Sequence, residues 1–575
     1  MKKAYITKIK AIVSMSIFTL FTANAQFVPQ QPVIQLPGIP LWTLNAQVRP
    51  RGEIRHGLGN PVDAGAPAAA FVSQRTNLNL GFRWDKLNFN VDIRDVRVWG
   101  QDASQISNAD GNKLFLHQAW GEFILATTAD TNCKLKIDNL SVKIGRQEIN
   151  YDDARLLGNL DWLQQGRRHD AAILKFLHKG YQADLGVAFN QNTDAFNTTG
   201  VQYVGYNGTG TNAVGGLNTA NAAGLQNQGV PSFAGSAPST NGLSNNYKMF
   251  QYLYLARRFN QTRISALFFK DDFQKFDVNY TNTSSPGVNL GDPAIVSGVG
   301  SRAYLSNNDT KSRYTFGAQF STQIGNSSEG WKTALAGGIY GQFGKDPRAA
   351  ETVTRKNPNG TLTDLPQVQT LNAGHVFAYA TFTNGKWSVG PGYDLLSGND
   401  VEVYETPVSG AAVGGNTYAR NVAIGSENNR FDPLYGTPHR WWGYMDVFYV
   451  GTGSPSSGLA NYYIKAKYTE NKWFVSADIH QFMTAGKTVK YKGLNDATLK
   501  DMGASYGQEL DLIFNYQANK FTNVEFGYSC MLATQALAVS KGFKEGATDE
   551  FNQWGYLQIN IRPDFLFQKP IAIKN

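Results

Sequence analysis

Only two cysteines, Cys133 and Cys530, occur in 575 residues, so no multi-bridge disulfide framework holds this chain together. Charge is also scarce: Asp, Glu, Lys and Arg make up 17% of the sequence, against about 25% in soluble globular proteins. Beyond the first 25 residues no apolar run approaches the ~20 residues that a membrane-spanning helix needs, and the mean hydropathy is −0.34. These shortages exclude a small secreted scaffold and a helical membrane protein. What is plentiful is glycine (58 residues) and aromatic side chains, 13% of the total with 27 Tyr and 34 Phe. The composition describes a large, all-β chain.

The N-terminus carries an export signal. Lys2, Lys3, Lys8 and Lys10 precede an apolar stretch from Ala11 to Phe21, followed by Ala23-Asn24-Ala25. This is the layout of a cleavable secretory signal peptide over 1–25, with an apolar core too short to span a bilayer and no cysteine after it to mark a lipoprotein. Removing four lysines from 53 basic residues leaves 49 against 44 acids, a mature charge of +5. A balance that small on an exported chain gives no reason to expect nucleic acid. The prolines within Phe27–Pro40 predict an extended periplasmic strap over 26–40.

From residue 41 a period of two takes over. Leu44–Arg55 sets Asn45, Gln47, Arg49, Arg51, Glu53 and Arg55 against Leu44, Ala46, Val48, Pro50, Gly52 and Ile54. Val72–Asp85 and Leu87–Arg94 alternate in the same way, and a strand with that pattern has one polar and one apolar face. Many such segments run 11 to 15 residues, longer than the ~5–6 of sandwich strands and suited to crossing a bilayer with tilt. Trp84, Trp331, Trp387 and Trp473 sit near segment ends, as an interfacial aromatic girdle requires.

The connections have a rhythm of their own. Very short turns (Asp85-Lys86, His178-Lys179-Gly180, Asn260-Gln261, Asn384-Gly385-Lys386, Glu470-Asn471-Lys472, Ala518-Asn519-Lys520) alternate with long loops. The long ones are expected near 57–70, 101–113, 147–168, 193–246, 274–310, 344–369, 399–458, 484–504 and 535–550. Short periplasmic turns and long extracellular loops are the mark of an outer-membrane barrel. Nineteen segments are strand-like, but an odd count breaks the alternation. Assigning Trp441–Val450 to the 399–458 loop restores it and predicts a single antiparallel transmembrane β-barrel of about 18 strands. The barrel covers 41–567, its last strand is Trp554–Phe567, and a short tail follows over 568–575. A barrel of ~16–18 strands is wide enough for an aqueous channel. The loop 193–246, uncharged from Ala195 to Tyr247, is either a mobile extracellular loop or a constriction folded inward, and its composition favours mobility.

With the polar face inward, the first three strands place Arg49, Arg51, Arg55, Arg75, Arg83 and Arg94 in the lumen beside Glu53, Asp85 and Asp92. Guanidinium forks suit carboxylate and phosphate, and a basic wall attracts anions. The alternative is that these arginines pair with lumenal acids, for which Asp478, Glu509, Asp511 and Glu525 are candidates, and merely stiffen the wall.

Motifs in Ser73–Asp170 add a family. They are Gln74-Arg75-Thr76, Val96-Arg97-Val98-Trp99-Gly100-Gln101-Asp102, Leu116-His117-Gln118-Ala119-Trp120, Ile144-Gly145-Arg146-Gln147-Glu148, Arg155-Leu156-Leu157-Gly158, Trp162, and Gly166-Arg167-Arg168-His169-Asp170. In order and spacing they resemble the alginate export family of 18-stranded outer-membrane barrels. A second block, Phe431–Arg440 with Gly443-Tyr444-Met445-Asp446, resembles members from Bacteroidetes-like bacteria. The resemblance implies an arginine-rich path for a linear polyuronate, lined by Arg75, Arg97, Arg146 and Arg167; Arg49 and Arg51 rest on alternation alone. Arg146 shares the parity of Leu140, Val142 and Ile144, so an inward position needs a β-bulge near Gly145. Arg97 likewise needs a phase shift after Ile93. The 193–246 loop has no counterpart in the family pattern.

Catalytic chemistry is weakly represented. The seven histidines are scattered, with no HExxH or metal-ligand spacing. Ser476, Asp478 and His480 share one strand face, but neighbours two apart lie ~7 Å from one another, too far for a nucleophile–base hydrogen bond. Cys133 falls in a turn and Cys530 faces lipid. No enzyme activity, cofactor or metal is expected. The expectation is an outer-membrane channel for anionic oligosaccharide or polysaccharide, in contact with lipid and open to a periplasmic export partner. A general porin for small anions and a structural barrel plugged by its loops are the alternatives.

Overall fold

The computed structural model describes residues 40–100, 113–128, 130, 136–189, 247–280, 301–326, 330–346, 352–356, 362–366, 370–407, 417–424, 427–449, 456–486 and 488–566. The signal peptide, most of the strap, Cys133, the 193–246 loop, Phe567 and the C-terminal tail lie outside them.

Twenty strands hydrogen-bond into one sheet, of which two form a small hairpin, Thr352–Lys356 and Leu362–Pro366. The remaining 18 make a closed antiparallel barrel: β1 Leu41–His56, β2 Ala69–Trp84, β3 Leu87–Val98, β4 Lys113–Ala126, β5 Asn139–Gln147, β6 His169–His178, β7 Tyr181–Phe189, β8 Met249–Phe259, β9 Thr262–Tyr280, β10 Ser301–Ile324, β11 Lys332–Lys345, β12 Thr370–Asn384, β13 Trp387–Leu396, β14 Leu459–Thr469, β15 Trp473–Met483, β16 Ser505–Asn519, β17 Thr522–Ala533 and β18 Phe551–Ile561. Closure is by β1 on β18, with Arg51 opposite Gln558 and Arg55 opposite Trp554. A closed ring leaves no unpaired edge in lipid, which is the condition for strands to cross a bilayer. The chain is an outer-membrane β-barrel, and the described part of Trp441–Val450, residues 441–449, belongs to a loop, as the alternation required.

Lipid sets the outer face. Leu78, Phe89, Phe123, Ile264, Phe316, Ile339 and Leu557 are all exposed outward, while the adjacent Asn77, Glu122, Ser265, Thr315, Tyr340 and Tyr556 are buried inward. Trp42, Trp84, Trp331 and Trp387 are exposed at the short-turn end, where an aromatic girdle sits at the headgroups. Cys530 lies between inward-facing Ser529 and Met531 and so faces outward.

Two boundaries differ from expectation for identifiable reasons. The last strand stops at Ile561 rather than Phe567 because Pro563 has no N–H to continue the ladder; the chain then follows β1 irregularly through Ala46 N–H to Pro563 O and Phe565 N–H to Leu44 O. The two ends of the expected loop 274–310 are strand, since β9 and β10 pair out to Tyr280 and Ser301. At ~3.4 Å per residue the 24 residues of β10 exceed the bilayer, so this hairpin stands above the membrane. On β4 a register shift opposite Asp92/Ile93 absorbs His117. That bulge keeps Leu114 and Leu116 before it, and Phe123 and Leu125 after it, on the lipid side.

Ile339 lies mid-strand between Ala318 and Val376 and is 63% exposed to the outside. Ile339→Arg is expected to destabilise the folded barrel by about 2–4 kcal/mol, measured by denaturant titration in lipid vesicles.

Candidate channel constriction

The pleat turns the even-numbered apolar residues of β1–β2 to lipid, and the inward positions of β1–β3 then carry six arginines (Arg49, Arg51, Arg55, Arg75, Arg83, Arg94) against two acids, Glu53 and Asp92. Their main partners are not the acids of the late strands. They come from the loop 148–168, which leaves β5 at the extracellular side and drops into the barrel as far as mid-wall.

Four guanidiniums grip that loop. Arg49 donates to the carbonyls of Asp161, Trp162 and Leu163 and to the Gln164 side chain, all within 3.3 Å. Arg75 pairs with the Asp161 carboxylate at 2.8 Å, and Arg94 donates to the Gln165 carbonyl. Arg51 donates to the Trp162 carbonyl and lies 4.2 Å from the centre of its ring. Glu53 is shared by Arg51, Arg55, Ser73 and the Trp554 indole. The Asp161 side chain remains 44% exposed while the arginines around it are nearly fully buried. Burial pushes its carboxyl up, but Arg75, Arg49 and Arg94 outweigh that and hold it down at about 2.

A second inward loop, 427–449, is zipped to the first. Tyr435 N–H donates to Leu156 O, Gly158 N–H to Tyr435 O and Thr437 N–H to Ala154 O, making a short parallel bridge. Gly436 is required at this approach, because a Cβ there would collide with the Arg155 carbonyl oxygen. Arg167, just before β6, donates to the Gly436 carbonyl. Trp162 stacks on His439 at 4.3 Å and His439 on Tyr444 at 4.7 Å, with His439 bonded to Asp446. Consecutive N–H groups of Tyr444 and Met445 point at the Asp511 and Glu509 carboxylates of β16.

Arg155 locks both loops to the far wall. It pairs with Asp153 and with Asp394 of β13, and its guanidinium is sandwiched between Trp441 at 3.7 Å and Phe377 at 4.0 Å. Burial lowers the proton affinity of such a group, but Asp394 and Asp153 raise it further, so Arg155 stays charged. Arg313 of β10 plays the matching part, pairing with Asp271 of β9 and with Asp432 of the second loop, while Tyr435 donates to Asp271.

Of the arginines singled out from sequence, Arg49, Arg51, Arg75 and Arg94 converge on 161–165. Arg55 stands nearer the extracellular entrance over Phe71, Arg83 at the periplasmic mouth, and Arg167 in the loop itself. Arg97 and Arg146 stand apart. β3 keeps its phase past Ile93, so Arg97 projects outward and pairs with Asp95. The β4–β5 pairing runs through Gly145 without a shift, Trp120 to Gly145 and Gly121 to Ile144, so Arg146 keeps the outward parity of Ile144 and forms a two-point pair with Asp170. Asp161, Arg155, Arg313 and Asp432 were not singled out. Three of them lie inside or beside the quoted motifs, but only the inward course of the loops reveals their role. His480 turns its Nδ1 to Asn461 rather than to Ser476.

Residues 48–195 match the family model described as Alginate export, a segment that runs from β1 past the end of β7. No curated protein matches the chain. Among solved structures it is similar to Pseudomonas aeruginosa OccK9 (OpdG), 11% identical with a TM-score of 0.47 over 91% of this chain and 98% of that one. It is also similar to a BenF-like porin from Pseudomonas fluorescens Pf-5, 10% identical with a TM-score of 0.47 over 91% and 99%. A third is Pseudomonas aeruginosa OccK2 (OpdF) in complex with glucuronate, 11% identical with a TM-score of 0.46 over 91% and 98%.

Two outcomes follow for the inward loops. Arg155→Ala leaves Asp153 and Asp394 buried without their counter-charge and is expected to cost about 3–5 kcal/mol, read as a lowered denaturation midpoint. Asp161 has its folded proton affinity lowered, so its share of loop docking is complete above the ordinary Asp value of about 3.9 and is lost as pH falls toward 2. Hydrogen exchange of 159–165 is expected to stay slow at pH 5 and to accelerate between about pH 4 and 2.

Proposed function

We propose that this outer-membrane channel of the alginate export family passes anionic oligosaccharide or polysaccharide of the polyuronate kind along its arginine wall. One observation carries the reading. The inward face of β1–β3 holds six guanidiniums against Glu53 and Asp92, and the docked loop adds Asp161 and Glu148 beside them, so 6 − 4 leaves an excess of two positive charges along this wall. On the opposite wall Asp394 and Asp478 are paired with Arg155 and Lys465, whereas Glu509 and Asp511 accept backbone N–H groups and stand across the lumen from the arginines. In a low-dielectric tube such an excess raises the local concentration of anions and repels cations. Arg55 and Arg83 extend the basic track toward the two mouths.

A general porin for small anions is the second reading, favoured by the two loops that occupy the lumen and narrow it. The segment 26–40 is the natural place for a periplasmic export partner to engage.

Reversal potential under a salt gradient and block by oligomannuronate test both readings in a planar bilayer. The channel is expected to prefer anions and to be blocked from the side of oligomer addition; anion preference without block would favour the general porin. Arg49→Gln with Arg75→Gln is expected to shift the reversal potential toward cations, whereas the outward-facing pair Arg97→Gln with Arg146→Gln leaves it unchanged. An unshifted potential in the first pair would overturn the role given to the wall.

A further inference from the structure

Below the arginine cluster the same wall changes chemistry. Toward the periplasmic mouth the inward positions of β1, β2 and β3 become neutral amides before charge returns at Arg83. Asn45 lies directly opposite Asn79, and Asn90 lies opposite Gly81, one inward position further down β2. Gly81 has no side chain to fill its place, and Thr43 from β1 extends its hydroxyl over it, so a Cβ there would collide with Thr43 Oγ1. The result is a polar patch in which one hydroxyl and three amides surround Gly81.

These amides are not spent on the protein. Among the described residues the side chains of Asn45, Asn79 and Asn90 make no hydrogen bond, and the buried Oδ1 of Asn77, the next inward residue up β2, has no partner either. Nor are they there for the strands' sake, since Asn is among the residues depleted from β-strands, where Thr would wet the wall at lower cost. An amide offers two donors and an acceptor side by side, matching a sugar hydroxyl, which both gives and accepts. It offers little extra to an aliphatic or aromatic carboxylate. The neutral patch is bracketed by cations: Arg83 and Arg75 are eight residues apart on β2, or ~27 Å at strand rise.

We propose that Asn45, Asn79 and Asn90 form a saccharide-hydroxyl subsite between two arginine levels, so that the channel selects for polyhydroxylated chains and not for negative charge alone. The inference deepens the polyuronate reading and rests on it for the charged part of the solute. Its own claim concerns the hydroxyls.

The test is sugar-induced current block in planar bilayers with three probes: oligomannuronate, a neutral manno-oligosaccharide of the same length, and succinate as an anion without ring hydroxyls. Both sugars are expected to dwell in the wild-type channel. In Asn45→Ala/Asn79→Ala/Asn90→Ala the dwell time of both is expected to fall about tenfold, the scale of losing a few hydrogen bonds, with reversal potential and succinate permeation unchanged. The triple Thr variant, which suits strands better, guards against misfolding and is expected to give a smaller fall in the same direction. If oligomannuronate fails to block while the neutral sugar dwells and the variants shorten it, the anionic reading fails and the subsite stands. If oligomannuronate blocks but the variants leave both sugars unchanged, or if succinate falls in step with them, the subsite is overturned.

Discussion

Arg155 is the constraint on which the interior depends. Its charge is removed from water and is tolerable only because Asp153 and Asp394 neutralise it and Trp441 and Phe377 cover both faces of its plane. Those partners come from the first inward loop, from β13, from the second inward loop and from β12. Satisfying one guanidinium therefore fixes four parts of the chain relative to one another. Arg313 does the same on the adjacent wall through Asp271 and Asp432. Between them the bridge of Leu157 to Tyr435 ties the loops backbone to backbone, so they behave as one body held from several sides.

That arrangement also sorts the charges. On the far wall Glu509 and Asp511 hold loop 427–449 by its backbone N–H groups, whereas the near wall carries six arginines against Glu53, Asp92, Glu148 and Asp161. Carbonyl oxygens of 161–165 take up much of the guanidinium hydrogen bonding. A carbonyl is a dipole and leaves the net charge untouched. Hydrogen-bond satisfaction and charge neutrality thus part company: the wall is rigid and bonded, yet its field survives. The alternative of a stiffened lining describes Arg51 with Glu53 and Arg94 with Asp92.

Legibility in the sequence followed the strength of the physical signal. Lipid outside and water inside force a two-residue period, so strand existence, inward parity and the count of 18 could be read from polar and apolar alternation. The same rule placed Arg49, Arg51, Arg55, Arg75, Arg83 and Arg94 inward, and it marked Arg97 and Arg146 as out of phase. No bulge corrects either of them, and the register shifts nearby sit at His117 and Leu125 instead. A bulge is a local choice of hydrogen bonding that periodicity does not encode. Pro563 ended the last strand by a rule of covalent chemistry, which the run of aromatics beyond it obscured.

By itself, then, the sequence determined the barrel through alternation and the inward parity of its polar residues. Only the tertiary structure decided which loops turn inward and which acids meet which arginines. Asp161 reaches Arg75 at a sequence separation of 86 and Arg155 reaches Asp394 at one of 239. Partners so far apart share no local pattern, since ring closure of the sheet is what brings them within bonding distance.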